Sequence, residues 1–215
     1  MFHDPVAREQ MPYVDRHFAK FAIFLLHEGR VAAGGWGVPL AWDGDPAALP
    51  EGYRTALAAS VEAHRAGAAA NAFSFMAVAV APDHDRQGLA RQVLQALIER
   101  AARAGLSRLV APIRPTWKHR YPLVVMAQYA IWTRDDGLSI DPWIRTHQRM
   151  GARILGPAPN SVVVTGTVAD WEEWAGMPFP TSGAYVVPGA LNLVEVDRER
   201  DIAIYREENL WLQHR

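Results

Sequence analysis

Cysteine is absent from the 215 residues, and this removes disulfide frameworks, thiolate metal sites and cysteine nucleophiles together. The absence fits a reducing, cytoplasmic setting. Neither sign of charge is in excess: 22 Lys and Arg face 23 Asp and Glu, so the one-sided basic field that nucleic acids require is missing. Long apolar runs are lacking too. The longest near the start, residues 21–26, is far below the ~20 residues of a membrane-spanning helix, and Asp4 and Glu9 ahead of it do not suit a signal peptide. Neither a nucleic-acid partner nor a membrane partner is expected. There is no internal repeat and no low-complexity tract. What the chain does contain is core material: 50% hydrophobic and 10% aromatic residues against 21% charged. A chain of this length buries roughly 70–75% of its unfolded surface, and one domain over residues 1–215 is the expectation.

Along the chain, residues 1–14 carry Pro5 and Pro12 and show no sustained period, reading as a helix remnant or a loosely held arm. Two strands, 17–26 and 31–40, flank a turn at Glu28-Gly29-Arg30 and predict a β-hairpin. Tyr53, Leu57, Val61 and His64 recur at helical spacing. Residues 73–80 are a short run rich in Val, Phe and Ala, stopped by Pro82, and read as a central strand. Leu89, Val93, Leu94, Leu97, Ile98 and Ala101 then share one helical face, Gly105 ends that helix, and 106–113 returns as a strand. A helix is expected between 121 and 131, and another over 142–150, where Asp141 caps the start and Pro142 takes the first helical position. Strands at 154–155, 161–165, 184–187 and 191–196, and a helical turn at 168–175, complete the reading. The fold class is α+β, with α/β character in the middle.

The loop Pro82-Asp83-His84-Asp85-Arg86-Gln87-Gly88-Leu89-Ala90 joins the buried strand to the amphipathic helix. Free N–H groups and the positive end of the helix dipole coincide there, which suits a phosphate. Two readings of Gly88 stand: close approach of a ligand to the backbone, or simply a tight turn. The valine-rich strand, Ala81-Pro82, and Arg-Gln-Gly-Leu-Ala opening a helix resemble the acyl-CoA-binding motif of the GNAT superfamily of acyltransferases. The motif covers roughly residues 76–110, and the order of elements around it agrees. The resemblance implies a central mixed β-sheet flanked by helices, with an extra helical insertion after the fifth strand. It implies acyl-CoA (acetyl-CoA or malonyl-type CoA) as cosubstrate and no metal. CoA pyrophosphate would lie on Arg86, Gln87, Gly88, Leu89, Ala90 and Arg91, and pantetheine on the backbone of Val78, Ala79 and Val80. Asp85 stands where the family usually has Arg or Gln.

Many N-acetyltransferases of this superfamily carry a tyrosine near the CoA sulfur, four residues before a glycine. Here His147 precedes Gly151 at that spacing. With an ordinary pKa of about 6.5 an imidazole exchanges protons near neutral pH, so His147 is the first candidate for acid/base catalysis; a packed or solvated histidine is the bland alternative. Thr116 is placed either to bond an acyl oxygen or merely to serve a turn after Pro115, and Arg114, Lys118, His119 and Arg120 make its loop cationic. The stretch 116–140 is long enough for a lid. Arg-Pro-Thr-Trp-Lys, Asp-Pro-Trp with His147, and the Trp-Glu-Glu-Trp to Val-Pro-Gly segment further resemble GNAT-like decarboxylase domains at the start of polyketide synthases. That resemblance puts Thr116 and His147 in an acyl tunnel, adds Trp42 as a substrate-lining residue, and implies an acyl carrier protein as a possible partner. Three functions therefore stand: an acyltransferase acting on a small-molecule acyl thioester with an amine or thiol acceptor, a decarboxylase of malonyl- or methylmalonyl-type thioesters, and a non-catalytic acyl-CoA-binding module.

Overall fold

The computed structural model describes residues 4–85 and 87–214. Helix α1 (Pro5–His17) leads into strands β1 (Ala22–His27) and β2 (Arg30–Leu40); α2 (Tyr53–Arg65), β3 (Ala72–Val80), α3 (Leu89–Arg103) and β4 (Arg108–Ile113) follow. After β4 come α4 (Met126–Ala130), α5 (Pro142–Arg149), β5 (Arg153–Gly166), α6 (Val168–Ala175), β6 (Gly183–Tyr185), β7 (Val194–Asp197) and β8 (Ile202–His214). The strands make one mixed sheet in the order β1-β2-β3-β4-β8-β7-β6, with β5 also paired to β8. This is the expected α+β architecture. The insertion follows β4, so the strand that the resemblance numbers fifth is fourth in this chain.

Several elements differ from the sequence reading, each for a physical reason. Residues 5–17 are a helix despite Pro12, because Val14 is buried in the main core and Asp4, itself buried, accepts from Val6 N at 2.9 Å at its start. The first strand therefore begins at Ala22, not at His17. The two strands expected at 154–155 and 161–165 are one strand of 14 residues, irregular in register between Ala158 and Val162. The helix expected over 121–131 is five residues long. The strand β8 is absent from the sequence reading altogether, yet it pairs with β4, β5 and β7.

The helix α3 follows its pattern: Val93, Leu94, Leu97 and Ala101 are buried, and Arg91, Gln92, Gln95 and Glu99 face solvent. Within the sheet the decisive irregularity is in β3. Trp36 lies opposite Ala77 while Gly37 lies opposite Phe75, so Met76 is an extra residue, a β-bulge that bends the strand. Pairing of β3 with β4 is parallel and covers only Ala72–Ser74 against Arg108–Val110. Beyond Ser74 the two strands part.

Small residues opposite the bulge allow it. A Cβ on Gly35 would stand 2.6 Å from Val93 Cγ1 and 2.7 Å from Ala77 O, and one on Gly37 would run into the Phe73 ring and lie 2.5 Å from Ser74 O. Gly37→Ala is therefore expected to lower stability by about 1–3 kcal/mol, the usual effect of overpacking. The midpoint of urea unfolding, compared with wild type at unchanged m-value, measures it.

Candidate active site

Where β3 and β4 part, a cavity of about 540 Å³ opens. Its floor is Phe75, Met76, Ala77 and Val78 of β3 and Ala111–Arg114 at the end of β4. Trp143 and His147 of α5, Trp171 and Trp174 of α6, and Tyr205, Glu207 and Asn209 of β8 complete the wall. Along the open edge β3 keeps its hydrogen bonds to β2 but has no strand on its other side, so backbone groups of 75–80 are available to an extended ligand. Val78 lines this cavity, whereas Ala79 and Val80 line a second one of about 540 Å³ beneath α1. Trp42 lines neither. It is buried beside Leu40, Ala72 and Trp211 at the opposite end of β3, with its indole N–H donating to Asp45 O at 2.7 Å. That corrects the substrate-lining expectation for Trp42.

Gly88 caps α3 in the left-handed conformation, φ +78°, a region that favours glycine. Among the described residues no side chain caps the helix, and its first turn holds no acid, so the amides of Leu89, Ala90 and Arg91 suit an anion. Gln87, Gly88 and Arg91 are exposed, and Arg86 lies outside the described residues. These features fit a diphosphate.

The ionic part of the wall was not anticipated. Glu207 is 5% exposed, and its Oε2 accepts from Arg114 Nε at 2.9 Å and from the Tyr205 hydroxyl at 2.8 Å. With its amide nitrogen turned toward that carboxylate, Asn209 donates to Oε1 at 3.1 Å. Burial, and next the neighbouring Glu207, raise the Tyr205 pKa, so the phenol stays a donor. Tyr205 in turn accepts from Leu191 N at 2.9 Å. Three of these four cavity residues sit on the strand that the sequence reading missed. The available signal was the alternation Ile202, Ile204 and Leu210, Leu212, interrupted by Arg206-Glu207-Glu208-Asn209.

His147 lines the cavity but is 1% exposed, its Nδ1 sharing a 2.8 Å hydrogen bond with His214 Nε2. Among the described residues its Nε2 and the Nδ1 of His214 are buried without partners, and Trp143 stands against the His147 ring at 4.4 Å between centroids. Burial, and then His214, push His147 down to about 3, and burial pushes His214 down to about 4. Burial beside His214 thus favours the neutral imidazole, against the expectation of proton exchange near neutral pH.

Thr116 is exposed and outside the cavity wall, its carbonyl bonded to His119 Nδ1 at 2.9 Å. The structure does not bring it together with His147. Lys118, expected in a solvated cationic cluster, is fully buried and donates to Leu191 O at 2.7 Å and Tyr121 O at 3.0 Å. Burial lowers its pKa, against the opposing pull of Glu208. None of the described residues 115–142 lines the cavity. The aromatic cover is Trp143, Trp171 and Trp174.

A family model described as the acetyltransferase (GNAT) family matches residues 2–120, more than half of the chain. The chain belongs to the GNAT acetyltransferase family. Arginine N-acetyltransferase avaD of Aspergillus versicolor is 32% identical over 224 residues, covering 92% of this chain and 77% of that protein. In fold, the chain resembles the loading GNATL domain of CurA from Lyngbya majuscula, with TM-score 0.60 and 15% identity over 96% of this chain and 81% of that one. It also resembles the GphF GNAT-like decarboxylase in complex with isobutyryl-CoA, with TM-score 0.51, 16% identity and the same coverage. This GNAT protein is an acyl-CoA-dependent acyltransferase.

The histidine pair makes a pH dependence for this GNAT fold. Unfolded histidines titrate near 6.5, so from about pH 6.5 down to about 4 the unfolded chain holds more protons and stability falls as pH falls. Above about 6.5 the contribution is complete. Between about pH 7 and about pH 5.5 urea unfolding is expected to show a loss of roughly 1.2 kcal/mol for each ring, the slope nearing about 1.4 kcal/mol per pH unit only below that range. The double variant His147→Gln, His214→Gln flattens that slope; an unchanged slope would trace it to other groups.

Proposed function

We propose that this chain, folded as one acyl-CoA-binding domain over 1–215, is an N-acyltransferase whose acceptor is a small primary amine bound in the cavity beside Glu207. The observation that carries the reading is the parting of β3 from β4 after Ser74, directly onto a cavity walled by a carboxylate. Pantetheine would run along the free edge at Val78, Ala79 and Val80, with the diphosphate on the amides of Gln87 to Arg91. The name of the A. versicolor relative supports an amine acceptor and an acetyl donor.

The chemistry needs few groups. An ammonium held at Glu207 gives one proton to the carboxylate, and the free nitrogen then attacks the thioester carbonyl carbon. As the carbon–sulfur bond breaks, the second nitrogen proton passes to the sulfur, leaving an amide and CoA thiol. A neutral His147 is not required as the acid. Decarboxylation of a malonyl-type thioester, with or without an acyl carrier protein, is the weaker reading, because Thr116 is exposed outside the cavity and does not meet His147.

Incubation with malonyl-CoA and no acceptor separates the two chemistries. An unchanged thioester by mass spectrometry is expected, and loss of CO2 would defeat the transfer reading. Gly88→Glu, which forces a side chain into a left-handed conformation and sets a negative charge against the phosphates, is expected to abolish the thermal shift given by CoA. A retained shift would place CoA elsewhere.

A further inference from the structure

The main cavity is charged at one place only. Among its described lining residues Arg114 and Glu207 are the ionic pair, and Tyr53, Phe75, Trp143, Trp171 and Trp174 supply aromatic faces beside aliphatic ones such as Met76, Val78, Leu94 and Ile113. Neither member of the pair is saturated. Arg114 uses Nε on Glu207 and Nη2 on Gly189 O at 2.7 Å, which leaves Nη1 without a hydrogen-bond partner among the described residues, on a side chain 46% exposed. Glu207 accepts three hydrogen bonds, from Arg114, Tyr205 and Asn209, of the roughly four its two oxygens can take.

We infer that this pair recognises the zwitterionic head group of an α-amino acid, its carboxylate on the open edge of Arg114 and its ammonium on Glu207. The inference rests on the amine-acceptor reading above and adds the class of amine. The charges decide it. A simple amine brings only positive charge, and to reach Glu207 it must also face the guanidinium that lies 2.9 Å from that carboxylate. An amino acid brings both signs at the spacing of adjacent atoms, so each half meets its opposite and the site remains neutral overall. The planar edge of Arg114 suits a carboxylate, and the low polarity around the pair strengthens both contacts. The rest of the acceptor then lies against tryptophan and tyrosine faces, which accept an apolar or a cationic side chain alike. Discrimination is therefore placed at the head group.

Acceptor pairs that differ only in the carboxylate test this: arginine with agmatine, lysine with cadaverine, and tyrosine with tyramine, using acetyl-CoA and reading thiol release. In each pair that reacts, the amino acid is expected to have a kcat/KM about ten- to hundredfold higher, mostly through KM. Arg114→Met is expected to bring that ratio close to one while keeping the thermal shift given by CoA. If the variant does not fold, arginine methyl ester on the wild-type enzyme takes its place and is expected to behave as agmatine does. Equal kcat/KM within the pairs, a ratio untouched by Arg114→Met, or a methyl ester as good as arginine would overturn the inference and leave the amine reading standing. CoA binding with no amine of either kind turned over would defeat both.

Discussion

Everything at the site depends on β3 being unable to stay beside β4. A parallel pair normally continues until a strand ends, because each N–H and C=O left unpaired and dry is unfavourable. Here the extra residue at Met76 rotates and bends β3 after three paired residues, and the close packing of Gly35 and Gly37 against Val93 and Phe73 makes the bend permanent. The backbone edge so opened is polar, extended and already held on its far side by β2. Such an edge suits a ligand made of amide groups, as pantetheine is. The same bend carries the chain toward Gly88, where the start of α3 offers its free amides.

The polar wall answers a second constraint. A carboxylate placed against an apolar cavity is strongly disfavoured unless it is paired and bonded. Glu207 therefore comes with Arg114, Tyr205 and Asn209, three donors from β8 and the end of β4. The histidines meet the same constraint differently: buried beside each other without a counter-charge, they give up their protons. The result is one dipolar spot in an otherwise apolar enclosure of aromatic and aliphatic faces.

Local signals were legible in the sequence, and long-range ones were not. Helical spacing placed α3 correctly, Gly88 announced its start, and Asp141 before Pro142 announced α5, whose cap is as expected: Asp141 accepts from Trp143 N and Ile144 N. The helix α1 was missed because Pro12 and weak periodicity hid it, while its stabilisation comes from residues distant in sequence, among them Val163, whose N–H meets Asp4. The strand β8 was missed because its centre is Arg206-Glu207-Glu208-Asn209, polar residues where a buried strand would show apolar ones. That local conflict is itself characteristic of a functional segment. The pairing of His147 was not legible, since its partner, His214, is 67 residues away and nothing near His147 foretells it.

The insertion between β4 and α5 acts from behind the site. Asp141, fully buried, accepts from Trp117 N at 2.7 Å and the Tyr129 hydroxyl at 2.9 Å as well as from the first amides of α5. One carboxylate thus ties the insertion to the helix that carries Trp143 and His147. Lys118 ties the same insertion to Leu191 O, and Leu191 N donates to Tyr205, which bonds Glu207. Arg114 closes this chain by bonding both Gly189 O and Glu207. A segment anchored through two buried ionisable groups has little freedom to swing over the cavity, and it has the rigidity to hold the two walls at a fixed distance. Precise placement of an amine against a thioester needs that rigidity more than it needs a moving cover.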